Sequence, residues 1–141
     1  MIVLDTDHLV VLHRSEHSQY VTLSANMARS PDQDFMANAV SAEEQLRGWL
    51  AAIRRARKVH DQIRYYGRLI ELIEFFCDWD ILPFNEPAAD RFEALRKQRI
   101  RIGTQDLKIA SMALETGALL LSANLRDFEQ VPGLRVESWL R

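Results

Sequence analysis

The chain has 141 residues, 48% hydrophobic and 27% charged, with a formal net charge of -2 at pH 7. That length suits one domain, 1–141, around one core, and the composition is that of a soluble globular protein rather than a disordered or fibrous one. The slightly acidic sum excludes a globally basic nucleic-acid binder, the lone cysteine excludes an internal disulfide, and no apolar run is long enough for a membrane span.

Met1 to Asp5 reads as a short buried strand, and Thr6 or Asp7 is placed to cap the helix begun by HLVVLHR, since both side chains accept from free first-turn N–H groups. A second helix fits Ser18 to Arg29, stopped by SPDQD. DFMANAVS reads as a second strand, with Ser41 and Glu44 in the S-x-x-E spacing of a capping box. Helical sequence then runs to about Cys77 as two helices with a weak point at Gly67, and Cys77 is expected to be buried as a small hydrophobe. DILPF is a third strand, EPAADRFEALRKQR a helix with Pro87 in its first turn, and TQDLKIASMALETG a helix closed by Gly117. ALLLSAN and LRVESW complete the strands. This alternation predicts an α/β fold: a central, mostly parallel sheet of about four to five short strands with helices on both faces.

In such sheets, sites form beyond the carboxyl ends of the strands. Asp5 ends the first strand, Glu44 follows the second, Asp106 opens the helix near Thr104, and Asn124 follows ALLLS with Asp127 one turn later. A carboxylate directly after a buried apolar run is costly unless it serves a purpose. Plain alternatives exist at each place: Glu44 as the capping partner of Ser41, Asp106 as a first-turn acid favoured by the helix dipole, Thr6 and Ser122 as cap or turn residues, and Asp127 as a surface acid. Two carboxylates about 4 Å apart repel by about 4 kcal/mol at an effective dielectric of 20, so a cluster of them needs a cation or protons. An all-oxygen set suits Mg²⁺ or Mn²⁺, which can activate water and shield a phosphoryl oxygen. His13 and His17 have a spacing that zinc ligands use but lack a third ligand, and chance spacing explains them.

Two basic stretches, Arg47 to Arg68 and Arg96 to Arg101, are either solvated helix surface or phosphate-binding faces. Arg54 and Arg55 are the candidate substrate contacts in the first. RYYGRLIELIEFFCDW carries apolar residues on more than one helical face, which implies a second covered surface or a core shared between two helices.

LDTDHL, VSAEEQLRG, GTQDLKIASMAL and LLLSANLRDFEQVPGLRVESW resemble, in that order, the motif regions of PIN-domain ribonucleases, specifically VapC-type toxins of bacterial toxin-antitoxin pairs. The likeness spans nearly the whole chain and is most specific from Gly103 to Trp139. It implies a PIN-like fold and an endoribonuclease whose acids bind Mg²⁺ or Mn²⁺ and activate water for attack on an RNA phosphate. Asp5, Glu44 and Asp106 match the family's acids, with Glu44 preferred to Glu43 because it stands four residues before Gly48. The fourth position falls on Asn124, where many members carry Asp, and Asp127 can supply the missing carboxylate. Asp7 receives a structural role, and Thr6 and Ser122 are further candidate substrate contacts. The implied partners are RNA, a VapB-like antitoxin and a second copy in a homodimer. With no signal peptide or membrane span, a cytoplasmic location is expected.

Two other readings belong to different classes. A haloacid-dehalogenase-like phosphatase would use the DTD stretch, but Leu9 stands where that family has Thr or Val and its late acidic pair is absent. A PIN-like module that binds RNA or protein without cutting rests on the neutral Asn124.

Overall fold

The strand β1 (Ile2–Leu4) lies at the centre of a five-stranded sheet, and the computed structural model describes all residues from Met1 to Arg141. Strands β2 (Phe35–Asn38), β3 (Ile81–Leu82), β4 (Leu119–Leu121) and β5 (Arg135–Glu137) complete it in the order β3-β2-β1-β4-β5, with every pair parallel. Seven helices connect and cover the strands: α1 (Thr6–His13), α2 (Tyr20–Arg29), α3 (Ala39–Arg55), α4 (Val59–Cys77), α5 (Glu86–Lys97), α6 (Thr104–Thr116) and α7 (Leu125–Phe128).

All three residues of β1 are buried because both faces of the sheet are covered, and alternation sends them to different cores. Ile2 and Leu4 join Ala37 and Leu121 against Leu9 of α1 and Leu72 and Phe76 of α4. Val3 and Leu120 point the other way, onto Phe92 and Leu95 of α5 and Ile109 and Met112 of α6. The chain steps outward from β1 to β2 to β3, then returns through α5 and α6 to β4 on the opposite side of β1. The strand order therefore reverses between β1 and β4, and this switch point opens a crevice at their carboxyl ends.

Several local expectations are corrected. The cap of α1 is Asp5 itself, not Thr6 or Asp7: its side chain accepts the Thr6 N–H. The cap of α3 is Asn38, whose Oδ1 accepts the Ser41 N–H at 2.8 Å, so Ser41 lies inside the helix and forms no capping box with Glu44. Asn38 is buried and its amide also donates to the Leu4 carbonyl at 2.9 Å, a tie to β1 that Ser41 could not make from its position. The break between α3 and α4 falls at 56–58 rather than at Gly67, which continues within α4. Helix α2 starts at Tyr20 instead of Ser18. His17 lies outside α1 and accepts the Gln19 N–H in a turn, so it shares no helical face with His13. Cys77 is exposed, because the buried side of α4 ends on Phe76 and the next residue points away. As expected, Gly117 closes α6 in the left-handed conformation, φ 65°, and the following N–H of Ala118 reaches back to Ala113.

Candidate active site

Four junctions converge at the crevice between β1 and β4. Asp5 follows β1 directly and is almost wholly buried; its Oδ1 accepts the Thr6 N–H and its Oδ2 accepts the Ser122 hydroxyl, both at 2.7 Å. Ser122 follows β4, and its oxygen in turn accepts the Asn124 N–H at 3.0 Å. The Asn124 amide donates to Asp106 at 3.1 Å and to Asp127 at 3.0 Å, standing between two carboxylates. Asp106 is in the first turn of α6, and Asp127 is in α7, anchored beneath by the fully buried Phe128. A single chain of polar contacts thus joins Asp5, Ser122, Asn124, Asp106 and Asp127.

Glu44 reaches this chain through Thr6, whose hydroxyl donates to its Oε2 at 2.8 Å. The same Thr6 oxygen lies 2.9 Å from Ser41 Oγ, which accepts from the Asn38 amide. Glu43 turns elsewhere, to Arg47 and to the amide of Gln105. Arg54 and Arg55 are not brought to the crevice: they close α3, ten and eleven residues after Glu44 and therefore about 15 Å further along the axis.

Burial is the main cause that pushes the Asp5 carboxyl up to about 7, with repulsion from Asp7 and Asp106 adding to it; the hydrogen bonds from Ser122 and Thr6 oppose the rise. Asp106 is raised as well, first by burial, with Asp127 and Asp7 contributing and the Asn124 hydrogen bond opposing. No lysine or arginine pairs with Asp5, Glu44, Asp106 or Asp127. The crevice is thus a concentration of unneutralised carboxylates with oxygen donors only, a set whose chemistry fits a hard divalent cation. No three acids stand close enough in this arrangement to chelate one ion, because the Asn124 amide and the Ser122 hydroxyl lie between them.

One contributor is not evident from sequence. His8 is fully buried, its Nε2 accepts the Trp139 N–H at 3.2 Å, and Nδ1 therefore carries the hydrogen that it gives Asp7. Asp7 also accepts the Ala123 N–H at 2.9 Å, so His8 fixes the carboxylate that ties α1 to the segment after β4. The only signal for it in the sequence is a histidine among apolar residues directly after two acids.

A family model described as PIN domain matches residues 2–134. The chain belongs to the PIN-domain family. A relative in Haemophilus influenzae named Ribonuclease VapC2 is 38% identical over 85 residues, covering 57% of this chain and 64% of the relative. A second, from Salmonella typhimurium and named tRNA(fMet)-specific endonuclease VapC, is 33% identical over 69 residues, covering 46% of this chain and 52% of the relative. Both matches thus span less than two thirds of the relatives' lengths. The fold of this PIN domain is like that of VapBC2 from Rickettsia felis, solved bound to a DNA fragment from their promoter: TM-score 0.71, 22% identity and 99% coverage of each chain. As a PIN domain it has the expected α/β architecture, with five parallel strands and helices on both faces. No helix is long and apolar enough to cross a membrane.

Proposed function

We propose that residues 1–141 form one PIN domain acting as a divalent-metal-dependent endoribonuclease, the toxin of a VapBC-type pair. The observation that carries this reading is the meeting of Asp5, Asp106 and Asp127 on the Ser122–Asn124 turn at the switch point, with no basic side chain to neutralise them. Family membership and the ribonuclease names of the relatives support it.

Asp5, Glu44, Asp106 and Asp127 are the carboxylates that would hold Mg²⁺ or Mn²⁺; since no three of them meet at one point, waters would complete its shell, and the cation, when bound, would lower the pKa of a water and shield charge on a phosphoryl oxygen. The chain's own groups prepare for this. Ser122 and the Thr6 N–H fix both oxygens of Asp5, so that its ionised form is presented in one orientation. Thr6 sets the rotamer of Glu44. Asn124, a neutral amide at the fourth position, holds Asp106 and Asp127 apart by donating to both, which limits their mutual repulsion. The protein partner in this reading is a VapB-like antitoxin, in keeping with the VapBC assembly whose fold is shared. The substrate is RNA, and the name of the Salmonella relative makes tRNA the first fraction to examine.

The test is incubation of a cellular RNA pool with the purified chain in Mg²⁺, in Mn²⁺ and in chelator, beside Asp5→Asn and Asp106→Asn. Metal-dependent cuts are expected, reduced in either variant by at least about 100-fold, the scale of losing one charge-stabilising group from an active site. Cuts that persist in chelator, or undiminished in both variants, overturn the assignment. Metal-independent RNA binding without cleavage would instead establish the binding module that Asn124 leaves open.

A further inference from the structure

The segment after β5, 138–141, forms no helix or strand, yet side chains from α1 and α2 fasten its main chain. His8 of α1 accepts the Trp139 N–H at 3.2 Å. Asn26 of α2 donates to the Trp139 carbonyl at 2.9 Å and to that of Arg141 at 3.3 Å, and Gln19, just before α2, donates to the Leu140 carbonyl at 3.4 Å. Leu140 is buried with Val11 and Leu23, and the Trp139 indole meets the Phe35 ring edge-on. With these polar groups taken, an irregular segment is held in one position.

Of these fasteners only His8 also bonds an acid. Its ring is fully buried, and with Nε2 taken by Trp139 its hydrogen sits on Nδ1 and goes to Asp7 Oδ1. Without that main-chain N–H either ring nitrogen could carry the hydrogen, and in one of the two tautomers Asp7 would face a lone pair. The docked segment removes that tautomer. Asp7 accepts the Ala123 N–H on its other oxygen at 2.9 Å, and the same oxygen lies 3.3 Å from Ser122 Oγ. Ser122 has a single hydroxyl hydrogen, which serves Asp5 at 2.7 Å. Two carboxylates thus compete for one hydrogen, and the bonds from His8 and Ala123 hold Asp7 back. Released by His8, Asp7 is free to take the hydrogen and leave buried Asp5 without its donor.

We propose that His8 is a positioning residue for the acidic crevice and that main-chain docking of residues 139–141 sets it: the segment selects the His8 tautomer, His8 holds Asp7, and Asp7 so held leaves the Ser122 hydrogen to Asp5. The inference rests on the reading of the crevice as a cation site. Coupling of this kind is reciprocal, so a cation bound at the crevice tightens the segment by the factor by which docking tightens the cation.

The test begins at Asn26, which bonds the segment and Arg29 but no acid. Asn26→Ala is expected to weaken Mn²⁺ binding to the full chain, read by calorimetry, by about fivefold. A merely structural role would lower the melting temperature and leave this affinity alone. Reciprocally, the Trp139 N–H should exchange with deuterium at least about fivefold more slowly in saturating Mg²⁺ than in chelator. His8→Gln keeps an acceptor for Trp139 but offers Asp7 no donor, and should lose about tenfold in Mn²⁺ affinity. His8→Asn keeps the donor to Asp7, and an amide has no tautomer to be chosen. It should hold Mn²⁺ to within about threefold of the parent, and Asn26→Ala should have no further effect in it. Asn26 is only half-buried, so its arm of the test stands even if the fully buried His8 tolerates neither replacement. A parent that binds neither ion overturns the cation reading and this inference with it. Mn²⁺ bound equally by the parent and Asn26→Ala, or lost equally in His8→Gln and His8→Asn, leaves that reading standing and overturns the inference alone.

Discussion

Replacing Asp5 by Asn keeps an acceptor for the Thr6 N–H while removing a carboxyl that burial, Asp7 and Asp106 push up to about 7. Because that value lies above the ordinary 3.8, the folded chain holds a proton that the unfolded chain releases. The associated stability is fully present below pH 4 and is lost as pH rises through 7. In chelator, urea unfolding of the parent should therefore show a loss across this window of up to about 4 kcal/mol from Asp5, which Asp5→Asn abolishes. An equal pH slope in both proteins would refute this. Asn124→Asp acts in the opposite sense on charge: it removes the two donors that satisfy Asp106 and Asp127 and adds a third carboxylate. The metal-free protein should lose about 1–3 kcal/mol. Mn²⁺ should bind about tenfold more tightly by calorimetry, since opposite charge at contact is the term being strengthened; unchanged affinity would remove position 124 from the cation site. Asp5, Asp106, Asn124 and Asp127 can be picked out of the sequence because each sits at a strand end or helix start. The roles of Ser122 and His8 could not, because a hydroxyl that bridges and a histidine that orients depend on contacts more than a hundred residues away.

At the level of elements, the misplaced boundaries have one physical origin. Capping patterns describe how a helix can begin, whereas Asp5 and Asn38 are the caps because each also bonds a distant element: Asp5 to Ser122, and Asn38 to the Leu4 carbonyl. The S-x-x-E pattern at Ser41 and Glu44 was real spacing put to another use, with both residues contacting Thr6. Gly67 is a weak point by sequence, yet a single glycine costs a helix only about 1 kcal/mol, less than the packing of Leu72 and Phe76 returns. Gly117 is legible as the stop of α6, because a helix end followed at once by an apolar strand demands a sharp reversal. Its φ of 65° predicts that Gly117→Ala will lower stability by about 1 kcal/mol or more, measured as a shift in the denaturation midpoint without change in slope. A neutral substitution there would show that α6 ends differently in solution.

For the whole molecule, alternation of short apolar strands with helices is enough to give a parallel sheet, and covering both faces follows from the central strands β1 and β4, whose residues are apolar on both sides. The position of β1 between β2 and β4 is not contained in any local pattern; it follows from where the long return through α5 and α6 docks. Charge distribution at this scale bears on the two arginines closing α3. They stand about 15 Å along the helix from Glu44, where a nucleic-acid backbone leaving the crevice could still be tracked. Arg54→Ala with Arg55→Ala should weaken single-stranded RNA binding and flatten its logarithmic salt dependence by about 1.4, the value for two phosphate contacts; an unchanged slope would leave both as ordinary surface. The central placement of β1 also sets a timetable. Its neighbour β4 begins at Leu119, and the Ser122 hydroxyl that fixes Asp5 comes 117 residues after it. During translation Asp5 waits, without its partners, until the segment that carries Ser122, Asn124 and Asp127 has left the ribosome. A nascent chain therefore cannot assemble its acidic crevice until α6, β4 and α7 have all emerged behind its first acid.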